Sequence, residues 1–132
     1  MKTPRTALPK TDCNHQPLLF QALGARQVVA DFSGGYLSSD GGALLLRQID
    51  RGLGLTRTLA QAFTDRRDPR YCDHTLPQLL TQRVHGLALG YEDLVDHDWL
   101  RHGPVMAVLV GKLAARRRAC APAAGKSTLN RL

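Results

Sequence analysis

Between Thr75 and Tyr91 the apolar residues Leu76, Leu79, Leu80, Val84, Leu87, Ala88 and Tyr91 recur three and four apart, with Gln78, Gln82 and His85 off the stripe. That period predicts an amphipathic helix, which is stable only if the stripe is buried against something else. Thr75 is its expected N-cap. Pro77 fits the first turn, where no intrahelical donor is lost, and Gly90 breaks the helix. The rest of the chain must therefore supply packing partners, and most of those in reach also read as helices.

Ser38 or Ser39 offers an oxygen to cap a helix with Asp40 in its first turn. Ala43, Leu44, Leu45, Leu46 and Ile49 form its expected apolar side, and Gly52 or Gly54 its end. Thr56 is the expected cap of a second short helix carrying Leu59, Ala60, Ala62 and Phe63. A polar, proline-containing loop follows over residues 64–70. Residues 92–102 read as a short acidic helix burying Leu94, Val95, Trp99 and Leu100. Pro104 then opens an apolar segment through Leu113. The one β signal is the run Val28, Val29, Ala30 and Phe32, with a turn at Gly34-Gly35 and Tyr36-Leu37 pairing back. The expected fold is mainly α: a small N-terminal β-hairpin, then a bundle of about four to five helices, with basic flexible ends. Residues 1–25, with Pro4, Pro9 and Pro17, read as an irregular arm, 26–114 as the helical region and 115–132 as a basic tail.

The 132 residues, 43% hydrophobic and 22% charged, suit one globular domain. The longest apolar run is VMAVLV at 105–110, against the roughly 18–20 residues of a membrane span. No apolar stretch follows the basic N-terminus, so cytoplasmic, nucleoid-associated residence is expected, with no membrane partner. Cys13, Cys72 and Cys120 lie far apart without a CxxC pair and read as reduced thiols.

The net charge of +7 is unevenly distributed. Residues 1–30 hold four basic groups against one acid, 31–111 eight arginines against ten acids, and 112–132 six basic groups against none. A polyanion is the expected partner. The candidate DNA-binding residues are Lys112, Arg116, Arg117, Arg118, Lys126 and Arg131, with Arg57, Arg66, Arg67 and Arg70 as a second group.

Four other arrangements point to chemistry of their own. Gly125-Lys126-Ser127-Thr128 is similar to the end of a phosphate-binding loop, but Cys120 occupies the position where that loop needs its first glycine, so no nucleotide is expected. Asp93 and His97, four apart on a helix, make half of a metal site. Without a third ligand, a solvated acidic face opposite Val95 and Trp99 is the simpler reading. His74 and His85 read as surface or capping residues. A helix-turn-helix across residues 79–100 would carry Glu92, Asp93, Asp96 and Asp98 toward phosphates, which electrostatics opposes. The pair at 40–51 and 56–63 suits a reading head better, although a plain helical hairpin is the simpler reading of it. Asp31, beside Val28-Val29-Ala30, has the look of a nuclease carboxylate, yet no further strands are in view to support a two-metal site.

Three segments, RQVVADFSGGYLSSDGGALLLRQIDRGLGL, FTDRRDPRYCDHTLPQLLTQRVHGLALGYEDLVDHDWLRHGP and GKSTLNRL, together resemble the N-terminal part of DDE group 1 transposases of bacterial insertion sequences, the family numbered thirteen-eighty. The resemblance runs from about Arg26 to Leu132, and GYEDLVDHDWLRH is its most specific block. It implies cut-and-paste DNA movement by an RNase H-like domain in which three carboxylates bind two Mg²⁺ ions. The first catalytic aspartate of that family lies downstream of the block matching GKSTLNRL. No catalytic residue and no metal ligand is therefore expected in this chain, which reads as a truncated fragment that binds or positions DNA ends. Gly103 departs from the family pattern, which has an aspartate before the proline. In the absence of the catalytic domain, the apolar residues Val105 through Val110 are expected to be exposed and to promote self-association. A freestanding small DNA-binding repressor is the alternative, and a metal-dependent nuclease using Asp31 and the 92–98 acids a further one.

Overall fold

The computed structural model describes residues 17–32, 38–112 and 120–132. Two antiparallel strands, β1 (Leu18–Leu23) and β2 (Arg26–Ala30), precede six helices: α1 (Ala43–Leu53), α2 (Leu55–Gln61), α3 (Leu76–Ala88), α4 (His97–Leu100), α5 (Pro104–Val110) and α6 (Lys126–Leu129). Single 3-10 turns lie at Pro69–Tyr71 and Leu94–Asp96. The molecule is thus mainly α with one small hairpin, as the patterning predicts.

The hairpin forms with a different partner from the expected one. β2 pairs back onto β1, with Phe20 opposite Val28 and Leu23 opposite Arg26, so the chain reverses at Gly24-Ala25. Gly24 has φ 58°, the positive value that a two-residue hairpin connection requires. The predicted turn at Gly34-Gly35 lies outside the described residues. Part of the stretch read as an irregular arm is therefore a strand, and Phe20 on it is buried. Arg47 of α1 ties the hairpin to the bundle by donating from its guanidinium to the Gln21 carbonyl at 2.8 Å.

Helix α1 buries Ala43, Leu44 and Arg47, whereas Leu45 and Ile49, expected on its apolar side, are more than half exposed. Gly54 ends it in a left-handed conformation. Thr56 is not the cap of α2 but sits inside it. Both Oδ atoms of Asp50 accept from Thr56, from its amide at 2.8 Å and its hydroxyl at 2.6 Å. Helix α3 starts as predicted: the Thr75 hydroxyl accepts from the Gln78 amide, and the Gln78 side chain accepts in return from the Thr75 amide.

Helix α3 packs against α2 and α5, and α5 against α1. One core cluster joins Ala43, Leu100, Met106, Leu109, Val110 and Ala123; a second joins Leu79, Ala124 and Leu129. Two corrections follow. Met106, Ala107, Leu109 and Val110 are covered by their own chain, so the exposure expected of residues 105–110 is not found. Residues 120–132, read as a loose basic tail, contribute to both clusters, because Ala121, Ala123, Ala124 and Leu129 are apolar and nearly fully buried.

The inner face of α3 also departs from the predicted stripe. Leu79, Leu80, Gln82, His85 and Gly86 are buried, while Leu87 is about half exposed. His85, expected at the surface, can be buried because its Nδ1 reaches the Thr81 carbonyl one turn earlier at 2.9 Å. Gly86 is where the helix meets the ring of His97: a Cβ there would lie 2.8 Å from Cε1 and 3.0 Å from Nε2. Gly86→Ala should therefore destabilise the protein by about 1–3 kcal/mol through overpacking, outweighing the ~1 kcal/mol by which alanine exceeds glycine as a helix former. Urea unfolding checks this. A midpoint at or above that of the parent protein would show that the ring has room to move.

Candidate nucleic-acid interface

The site is assembled around a buried amide. Gln82 on α3 donates from Nε2 to the Ala124 carbonyl at 2.7 Å and accepts at Oε1 from the Ala124 amide at 2.8 Å. A backbone N–H can only donate, so this pairing fixes which end of the carboxamide is the NH₂. The second hydrogen of that NH₂ points at Nδ1 of His97, 3.0 Å away. Nδ1 must therefore accept, and His97 is the neutral tautomer with its proton on Nε2. His97 is fully enclosed, and among the described residues its Nε2 has no hydrogen-bond partner.

A second clamp holds the next residues. Asp98 Oδ1 accepts from the Lys126 amide at 2.9 Å, and a Cβ on Gly125 would meet that same oxygen at 2.7 Å. The Lys126 ammonium stands farther off, 3.9 Å from Asp98 Oδ2. An acid thus occupies the place where a phosphate-binding loop would hold its ligand, in line with the sequence reading of Gly125 to Thr128.

With residues 120–132 held in this way, a cleft of about 370 Å³ opens between them, the loop before α3 and the end of α4. Arg67, Arg101 and Arg131 line it from those three segments, with His74, Thr128 and both Cys72 and Cys120. Asp68 and Asp73 also face it and temper the positive charge. Arg67 makes two side-chain bonds to Asp65, at 2.8 and 2.7 Å, which hold that carboxyl down at about 2. Arg70 is held similarly by Asp68 and lies over the ring of Tyr71. His74 is buried, not superficial as expected; burial first, and Lys112 second, push its pKa down.

The predicted DNA-binding residues separate accordingly. Arg67 and Arg131 come together in the cleft. Lys112 donates to the Asp73 carbonyl at 2.7 Å and so braces the loop. Arg57 lines a separate shallow cavity with Thr81 and Pro77, and Arg66 is exposed on the loop. Arg116, Arg117 and Arg118 lie outside the described residues. Arg101 was missed, although it sits in the most specific sequence block.

The acidic segment also differs from its reading. A 3-10 turn breaks it at Leu94–Asp96, so one continuous helical period does not apply. Val95 and Trp99, expected to be buried, are 60% and 71% exposed, and His97, expected on the solvated face, is interior. Among the described residues, no three His, Cys, Asp or Glu side chains are grouped to hold a metal ion.

The His97 geometry implies an acid sensitivity with a definite sign. Burial, then Arg83, lowers its pKa below the ordinary 6.5, while Asp96 and Asp98 oppose the shift more weakly. A folded-state pKa below the unfolded one means stability is fully present above about pH 6.5 and is lost as pH falls from there through the folded value. Protonated Nδ1 would face the Gln82 NH₂, donor against donor. Amide exchange at Ala124 and Lys126 should therefore accelerate, relative to intrinsic rates, as the pH falls below about 6.5. Protection that instead rose as the pH fell would exclude a neutral acceptor at Nδ1.

Comparison with curated proteins and with solved structures gives no match. A family model for the transposase DDE domain group 1 matches residues 20–132, which include α1 to α6, the Gln82–His97–Ala124 network and the whole cleft. The chain belongs to the transposase DDE domain group 1 family.

Proposed function

We propose that this chain serves DNA transposition by binding the backbone of DNA ends, with phosphodiester oxygens held in the cleft of Arg67, Arg101 and Arg131. The observation that carries the reading is that three arginines from separate segments line one cleft, in a chain of this family. Planar guanidinium forks suit phosphate oxygens, and such contacts set position and register rather than sequence preference. Asp65 already engages Arg67, and two acids share the cleft, so Arg101 and Arg131 make the stronger contacts and overall affinity is modest.

Strand cleavage is not, on this reading, the work of the described carboxylates. Two divalent ions need several carboxylates within reach of both. Asp31, Asp40, Asp50 and the acids of residues 92–98 are dispersed, and Asp40, Asp50 and Asp98 each accept hydrogen bonds from their own chain. Among the described residues no such group of carboxylates is assembled, so strand cleavage is not assigned to them.

Three phosphate contacts predict that log K for duplex DNA falls against log salt with a slope of about −2.7. Arg101→Ala with Arg131→Ala should flatten the slope by about 1.8. Fluorescence anisotropy over a salt series measures both. An unchanged slope in the double variant would move the contact to Arg57 and Arg66.

A further inference from the structure

Trp99 is the protein's only tryptophan. It is 71% exposed, although tryptophan is on average among the more buried residues. It stands at a cavity of about 300 Å³, lined mostly by apolar groups including Pro104 and Met106 and carrying a few polar ones: Ser38, Ser39, Asp40 and His102. The Asp40 carboxylate is oriented in advance, accepting from the Tyr91 hydroxyl at 3.1 and 3.2 Å. An apolar pocket with an aromatic wall and a fixed acceptor suits a flat heterocycle with amine hydrogens on its edge.

The pocket's position identifies the source of such a ring. Trp99 and His102 line this cavity, while Arg101, between them in sequence, lines the cationic cleft. Arg101 Nε donates to His102 Nε2 at 3.3 Å, so the two cavities meet across one side-chain contact at the end of α4. A phosphate on Arg101 therefore has an aromatic platform beside it, the pairing of charge and stacking that single-stranded nucleic acid binders use.

We propose that the cavity at Trp99 binds an unpaired DNA base, stacked on the indole with its amine-bearing edge toward Asp40, while the adjoining phosphate is held by Arg101. This rests on the reading of the cleft as a DNA-backbone site. A base inside an intact duplex is stacked on its neighbours and cannot enter, so the site selects an unpaired nucleotide.

Because Trp99 is the sole tryptophan, its emission reports stacking directly. The full chain is titrated with an oligo-deoxycytidine strand and with an abasic strand of the same length, following tryptophan emission and, in parallel, the anisotropy of a label on the DNA. The cytosine strand should quench the emission saturably and the abasic strand should bind without quenching. Trp99→Ala should reduce the preference for cytosine over abasic DNA by about tenfold, and Trp99→Phe should retain most of it. Equal quenching by the two strands, or an unchanged preference in Trp99→Ala protein with native circular dichroism, would overturn the base site alone. Failure of both strands to bind at low salt would overturn the backbone reading as well.

Discussion

The carboxamide of Gln82 pairs with both backbone groups of Ala124, as a neighbouring strand would, and its remaining N–H reaches His97. All three groups are buried, so each hydrogen bond contributes only about 0.5–1.5 kcal/mol net, while leaving any one of them unpaired costs about 1–3 kcal/mol. That asymmetry makes the arrangement all or nothing. With it in place, Ala123 and Ala124 enter the core, and Cys120, Thr128 and Arg131 face the loop before α3. Without it the cleft has no second wall.

Helix α4 has only four residues, yet it is the part on which both cavities depend. Its first residue, His97, points inward to Gln82. Asp98 holds the Lys126 amide, Trp99 points to solvent, and Leu100 enters the core. So short a helix is not stable by itself and takes its geometry from what surrounds it. His97 and Leu100, three residues apart, share its inner face and Trp99 lies outside; what apolar patterning does not anticipate is an imidazole on the inner face and an indole on the outer one.

Net charge is a poor guide to which cations lack an acidic neighbour. Asp65 and Asp68 stand two residues before Arg67 and Arg70 and engage them, so the most basic loop in the middle of the chain is internally compensated. Exposed pairs of this kind add little stability, about 0–1 kcal/mol. What they do is fix where each guanidinium lies, which leaves Arg101 and Arg131 as the cleft's more available cations.

Much of this was legible locally. The period of α3, its Thr75 cap and Pro77 in its first turn are contained within one segment, and so is the β-prone run of β2; side-chain spacing and backbone chemistry suffice for both. The strand partner of β2 was less legible because Leu18–Leu23 follows three prolines, although Leu-Leu-Phe before Gly24 was a usable signal. The burial of Gln82, His85 and His97, the exposure of Trp99 and the incorporation of residues 120–132 into the core were not legible. Each depends on where a partner lies, and the partner of Gln82 is 42 residues away. Apolar patterning reports the free energy of leaving water, whereas a polar side chain enters the core only when a particular donor or acceptor meets it there, and only the tertiary structure decides that.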